Sequence, residues 1–283
     1  MTTTPPRWNL SNIYTSVEDP RLQSDMQWCQ TQTSLLEARF ETELQPLTRE
    51  SALPETLTPL LNQLVDALNA LILKTATIDA YLYGLITTNS FDKQAEQTLS
   101  RFEIARVPFQ NLLVRLRAWF GRLGKALPAA LTTPGSAKEH AFILLEEAEQ
   151  SRYQMSEPEE LLANEMTLSG GSAWDKLQGT LTSQKTVSFE LDGKMEELPM
   201  PALINLRSHP SAEVRERAYR TEQSVWEELK EPLAACLNGV KGETITLDTH
   251  RGRQDSLHAS LDMARIDRAT LNAMLAAIQA SLP

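Results

Sequence analysis

The chain has 283 residues, 41% of them hydrophobic and 23% charged, enough for one large or two ordinary domains with real cores; this balance excludes wholesale disorder. A formal net charge of −10, from 27 basic and 37 acidic residues, disfavours nonspecific binding to nucleic acid or to an anionic membrane. Leu, Ala and Glu are abundant and there are 11 glycines, which favours helix over a turn-rich β architecture.

The opening Met1-Thr-Thr-Thr-Pro-Pro has no basic region followed by an apolar run, so no secretory signal is visible and the expected location is cytoplasmic. In the middle of the chain the aliphatic stretch Ala141 to Leu145 is far too short to cross a bilayer. Cys29 and Cys236 are distant in sequence and form no CxxC motif, which reads as two buried thiols rather than a disulfide.

The first helix is expected at Asp19-Pro20, an N-cap followed by proline at the first helical position, where a missing N–H costs nothing. Leu22, Met26, Cys29, Leu36, Phe40 and Leu44 recur at helical steps, and Pro46 ends or interrupts the run. A second helix is expected to open at Thr58-Pro59, with Leu61, Leu64, Val65, Leu68, Leu71, Ile72, Ile78 and Leu82 on its buried side. Asn89-Ser90 interrupts it. A third follows with Phe91, Leu99, Phe102, Phe109, Leu112, Leu113, Leu116 and Trp119 in step, and Pro108 inside it should produce a kink. Three long helices with short breaks imply an antiparallel bundle.

Gly121 to Gly135, with Pro128 and Pro134, reads as a boundary. Ala141 to Tyr153 is helical in pattern, and Ser156-Glu-Pro-Glu159 has the spacing of a capping box. Gly170-Gly171 is expected to close that helix and Ser172 to cap the next, which carries Trp174 and Leu177. Val187-Ser-Phe189-Glu-Leu191 alternates apolar and polar, and Asp192-Gly193 supplies the turn of a hairpin over Thr186 to Leu198. Ser211 then caps a long helix with Val214, Ala218, Val225, Leu229, Leu233 and Leu237, which Pro232 should bend and Gly239 or Gly242 end. Asp267 caps a last helix with Leu271, Met274, Leu275, Ile278 and Leu282 along one side. That apolar stripe must be buried against something, and the expectation is that the chain is the front piece of a longer protein, or that a dimer interface covers the stripe. The fold class is therefore mainly α: a helical bundle lobe, a single β-hairpin, and further helices that begin a second helical domain. The division expected is 1–185 and 186–283.

Catalytic groups are harder to find. His250 and His258, with Asp248 and Asp255 nearby, flank a Gly-containing turn at a spacing that places them on no common helix face, whereas zinc needs three or four converging ligands; solvated histidines are the preferred reading. Glu139-His140 reads as a surface pair. Glu146-Glu147 and Glu159-Glu160 are adjacent carboxylates that face different ways on a helix. Arg251 and Arg253 read as solvated arginines near a turn. No nucleophile elbow, dinucleotide loop or phosphate loop occurs, and the five tryptophans have no stacking arrangement for bases. The residues by themselves name no catalytic, metal-binding or substrate-binding position.

The opening Arg7-Trp8-Asn9-Leu10-Ser11-Asn12-Ile13-Tyr14, followed by Asp19-Pro20-Arg21, resembles the start of oligoendopeptidase F proteins and their thimet-like relatives. It departs from that family's pattern at Asn9 and Ile13. Similarity continues through Glu159-Glu-Leu-Leu162 to Gly171, Ala173-Trp174, Leu177 to Ser183, Val214-Arg215, Ala218, Leu237-Asn238-Gly239, Arg251-Gly252, Ser256-Leu257 and Ser260-Leu261, in the family's order. The resemblance implies a mostly helical zinc peptidase that encloses a channel between two lobes and cleaves short peptides with a zinc-bound water. Such proteins hold zinc with a His-Glu-x-x-His helix and a downstream glutamate. None of the four histidines here precedes a glutamate: the pairs are His140-Ala141, His209-Pro210, His250-Arg251 and His258-Ala259. The resemblance thus implies a channel wall and size gate. The zinc and the catalytic residues would belong to a missing C-terminal portion, and this chain alone would be inactive. A non-enzymatic helical scaffold or interaction protein is the alternative.

Overall fold

The computed structural model describes residues 9–282; the Arg7-Trp8 start of the opening motif and Pro283 lie outside them. The helices are α1 (Pro20–Arg39), α2 (Pro54–Thr88), α3 (Lys93–Leu123), α4 (Ala126–Ala130), α5 (Ser136–Glu139), α6 (Ala141–Gln150), α7 (Glu157–Thr167) and α8 (Gly171–Gln184). Strands β1 (Thr186–Leu191) and β2 (Lys194–Pro199) follow, then α9 (Met200–Asn205), α10 (Ala212–His250), α11 (His258–Ala264) and α12 (Arg268–Ser281). Helix accounts for 76% of the structure, and the strands make one two-stranded hairpin, so the chain is mainly α with a single β-hairpin.

Local chemistry explains most element starts. Asp19 accepts the Arg21 N–H at 2.9 Å and the Thr15 N–H at 2.8 Å, which caps α1 and ties the preceding turn to it. The Arg21 guanidinium, 2.7 Å from Asp19 Oδ2, and then the Thr15 N–H hold its carboxyl well below the usual carboxylate range. Asp92 caps α3 through the Ala95 N–H, Ser211 caps α10 through that of Val214, and Asp267 caps α12 through that of Thr270. Asp192 and Gly193 both have positive φ, 50° and 76°, which closes the hairpin with Thr186 opposite Pro199 and Leu191 opposite Lys194.

Helices α1, α2 and α3 pack on one another around two apolar clusters. In the first, Trp119 stands edge-on to Phe40 with ring centroids 6.3 Å apart, and its indole N–H donates to Leu47 O at 3.3 Å. In the second, Tyr14 meets Tyr81 edge-on at 5.0 Å and its hydroxyl donates to Asp25 at 2.7 Å. Cys29 lies in this cluster, where burial pushes its thiol up to about 11, and both cysteines are free and buried. A separate third cluster joins Phe189 of the hairpin, Met200 and Leu203 of α9, and Val214, Ala218 and Val225 of α10.

Several elements differ from the sequence reading. Helix α2 begins at Pro54, not Thr58. Pro59 is accommodated near its start, where the carbonyl freed by the missing N–H belongs to exposed Glu55. The Thr58 hydroxyl is not a cap; it donates to Ala130 O of α4 at 2.8 Å. Ile72, Phe91, Leu113 and Leu237 are exposed. The Gly121–Gly135 segment is no break: Leu127, Ala130 and Leu131 sit inside the first cluster. Helix α2, rather than Ala141–Leu145, is long and apolar enough by length and composition to cross a membrane; Leu57, Leu61, Leu64 and Leu82 along it are buried against its neighbours.

The glycines of α10 also act otherwise than expected. The helix runs through Pro232, Gly239 and Gly242 to His250. At Gly239 the Trp174 indole of α8 lies where a Cβ would stand, so the residue is a seat for the ring rather than a helix stop. A mid-helix glycine costs about 0.5–1 kcal/mol relative to alanine, and the α8–α10 contact offsets it. Replacing Gly239 with Leu is expected to destabilise the α8–α10 unit by about 1–3 kcal/mol, with Trp174→Ala relieving part of that loss. Urea unfolding of the two single variants and the double variant checks this, and strict additivity would contradict it.

Candidate functional site

The polar junction between the end of α10 and helices α6 and α7 brings together Glu159, Glu160, Asp248, Arg251, Arg253 and His258, about half of the chemistry-bearing residues singled out by sequence. Glu243 and Arg251 lie eight residues apart on α10, about 12 Å along its axis. Glu243 accepts the Thr167 hydroxyl at 2.8 Å and the Gly171 N–H. Arg251 donates from Nε and Nη2 to the two oxygens of Glu160, at 2.9 and 2.7 Å. The end of α10 therefore runs antiparallel to α7, fastened at both ends.

This arrangement revises the reading of Gly170-Gly171. Helix α7 ends at Thr167, and Gly170 has φ −93°, so neither glycine is a left-handed cap. They open α8 instead, with the Glu243 carboxylate on the Gly171 N–H in its first turn, where the helix dipole favours an anion. Ser172 lies inside that turn rather than capping it. Ser156 and Glu159 do form the expected pair, the Ser156 N–H donating to Glu159 at 3.0 Å.

Glu160 is buried, with 4% of its side chain exposed. Burial by itself would raise its pKa, but the Arg251 bonds and the Met155 N–H at 3.0 Å reverse that and leave it below the ordinary glutamate value. On the other side, the Glu160 bond holds Arg251 protonated, and the charge of Asp248 adds to it. Asp248 is itself buried and its Oδ2 has no hydrogen-bond partner.

Arg253 and His258 meet around Tyr153. The Arg253 guanidinium lies 4.1 Å from the Tyr153 ring centroid and donates to Gln150 Oε1 at 2.7 Å and to Asp262. The His258 ring stands edge-on to Tyr153 at 4.8 Å, and its Nδ1 accepts the Gln254 N–H at 3.2 Å. Neither residue is a freely solvated side chain, because both have partners supplied by α6 and the helical turn Ser151–Tyr153 that follows it. Sequence reasoning had no signal for this, since Tyr153 and Gln150 lie about a hundred residues upstream.

The other candidates stay apart. His250 is exposed at the end of α10. Asp255 accepts the Leu257 and His258 N–H groups and pairs with Arg268 at 2.6 Å. Ring nitrogens of His140 lie 2.9 Å from Ser136 O and 3.2 Å from the Asn69 side-chain amide. The adjacent carboxylates diverge: Glu146 binds Arg265 while Glu147 binds Arg117. Among the described residues no group of three His, Cys, Asp or Glu side chains could hold a metal ion. Among the described residues there is a hollow of 330 Å³ beside Thr48, Arg49 and Arg122, and another of 180 Å³ between Leu35 and Leu71. No family model, curated protein or solved structure matches the chain.

The Glu160 ion pair gives a pH dependence with a definite sign. A carboxylate with a depressed folded-state pKa stabilises above its unfolded value of about 4.3, and that contribution is lost as pH falls through the folded value. Arg251→Met leaves a buried carboxylate unpaired and is expected to cost about 2–3 kcal/mol near neutral pH. In the variant, burial raises the Glu160 pKa, so its deficit against the parent shrinks on acidification. Urea midpoints taken from neutral pH down to the carboxylate range test this, and a deficit that stays constant would contradict it.

Proposed function

We propose that this chain is the N-terminal part of a zinc-dependent oligoendopeptidase, forming one wall of a channel in which short peptides are hydrolysed. The observation that carries the reading is where the family-like segments lie. Glu159–Gly171 and Arg251-Gly252 resemble the family in sequence, and Glu160 and Arg251 pair although they lie 91 positions apart. Ala173-Trp174 and Leu237-Asn238-Gly239 resemble it too, and the Trp174 ring rests on Gly239. Residues that carry the likeness at distant points thus form one packed junction, which is what a shared fold requires.

On this reading the chain's own task is mechanical. Long helices with interlocked cores present a rigid wall that admits an extended peptide and excludes a folded chain. Zinc and the groups that activate water would come from a C-terminal portion carrying His-Glu-x-x-His, and no step of the chemistry runs through residues of this chain. The net charge of −10 sets it against nucleic acid as a partner.

A non-enzymatic scaffold is the second reading. It is favoured by α12, which buries no residue and leaves Met274, Leu275 and Ile278 about half exposed, as a partner-binding helix would.

Two measurements separate these readings. The gene read downstream of the Pro283 codon is expected to continue in frame into His-Glu-x-x-His, and a stop there would favour the scaffold. Purified as given, the chain is expected to carry no stoichiometric zinc and to leave a short quenched fluorescent peptide intact. Chelator-sensitive cleavage by this chain alone would refute the proposed division of labour.

A further inference from the structure

Beyond that role, we propose that residues 254–282 form a detachable strap that leaves the body after the Gly252 cap of α10 and is held against one face of α6 by Arg253 at its foot and Arg265 within it. Phe142, Glu146, Gln150 and Tyr153 follow one another at steps of four, four and three, and so share one helical face. Each of these arginines engages one ring and one polar side chain of this stripe. Arg253 lies over Tyr153 at 4.1 Å and donates to Gln150. Arg265 lies over Phe142 at 4.7 Å and donates from Nε and Nη2 to the two oxygens of Glu146, both at 3.0 Å. Gln150 returns a bond to Asp262 of the strap at 3.1 Å, and His258 adds its edge-on contact with Tyr153.

The strap is attached differently from the rest of the molecule. Leu261 is its single buried residue among those described, so almost no apolar burial fixes it. By contrast, α6 is anchored from its other side, with Leu144 buried in the first core and Ala141 and Ala148 packed against it. Attachment by ion pairs and cation–π contacts at a partly wet surface is weak and screened by salt, whereas the cores beneath it are not. The hinge position also fits. Gly252 has φ +69° and no atom within 4 Å of where a Cβ would stand, so the chain turns there without steric opposition. Arg251, one residue earlier, remains locked to buried Glu160. Gly252 closes α10 as its left-handed cap, with the Arg253 N–H donating to Asp248 O at 2.9 Å, so the pivot lies just beyond it, at exposed Gln254, Asp255 and Ser256.

Spin labels on exposed Gln97 of α3 and Ser260 of α11, replaced by cysteine in the intact chain, read the strap position by pulsed dipolar spectroscopy. At low ionic strength a single narrow distance distribution is expected. Near 1 M salt, where the screening length falls to about 3 Å, the open population is expected to rise about fivefold. Glu146→Gln should do the same at low salt, and exchanging the charges with Glu146→Arg and Arg265→Glu should restore the narrow distribution. A distribution that ignores both salt and Glu146→Gln would overturn the proposal, as would a charge exchange that leaves it broad.

Discussion

The bond between Arg251 and Glu160 holds together two parts of the molecule that share no apolar core. The first two clusters belong to α1–α6 and the third to the hairpin, α9 and α10, so hydrophobic burial stabilises each part but does not orient one against the other. Orientation comes from polar fasteners: Arg251 to Glu160, Glu243 to Thr167 and Gly171, and Lys176 to Glu103. Such contacts are directional and fix geometry as well as adding energy. They are also the contacts most exposed to pH and salt.

Helix α10 makes this possible through its length. At 39 residues it spans about 58 Å, so one end carries the third core while the other reaches α7 and the strap. A helix that stopped at Gly239 would have lost Glu243 and Arg251 from the junction. Trp174 settles on Gly239, and that packing gives the glycine a place in the helix interior despite its poor propensity. The same region shows a buried carboxylate, Asp248, with an unpaired oxygen beside a guanidinium already satisfied by Glu160. An excess of negative charge there holds Arg251 protonated and in place.

Much of the architecture was legible in the sequence, and the reason is local. Asp19, Asp267 and Ser211 cap helices by bonds to residues two or three positions onward. The Asp192-Gly193 turn needs only its own backbone angles, and the Leu22 to Leu44 stripe follows from helical periodicity. Errors clustered where a residue's partner was distant. Thr58 looked like a cap but bonds α4; Gly170 and Gly171 looked like a helix end but open α8; Gly239 looked like a stop but seats an indole. In each case a local signal was genuine chemistry applied to a tertiary contact.

The sequence by itself determined a mainly helical chain with one hairpin, where most elements begin, and that no histidine precedes a glutamate. Only the tertiary structure decided which charges are buried, because Arg251 and Arg253 have sequence neighbours typical of solvated residues while their partners Glu160 and Gln150 lie 91 and 103 positions away. Caps and periodicity are fixed within one or two helical turns, whereas an ion pair across two packed units depends on where both units come to rest.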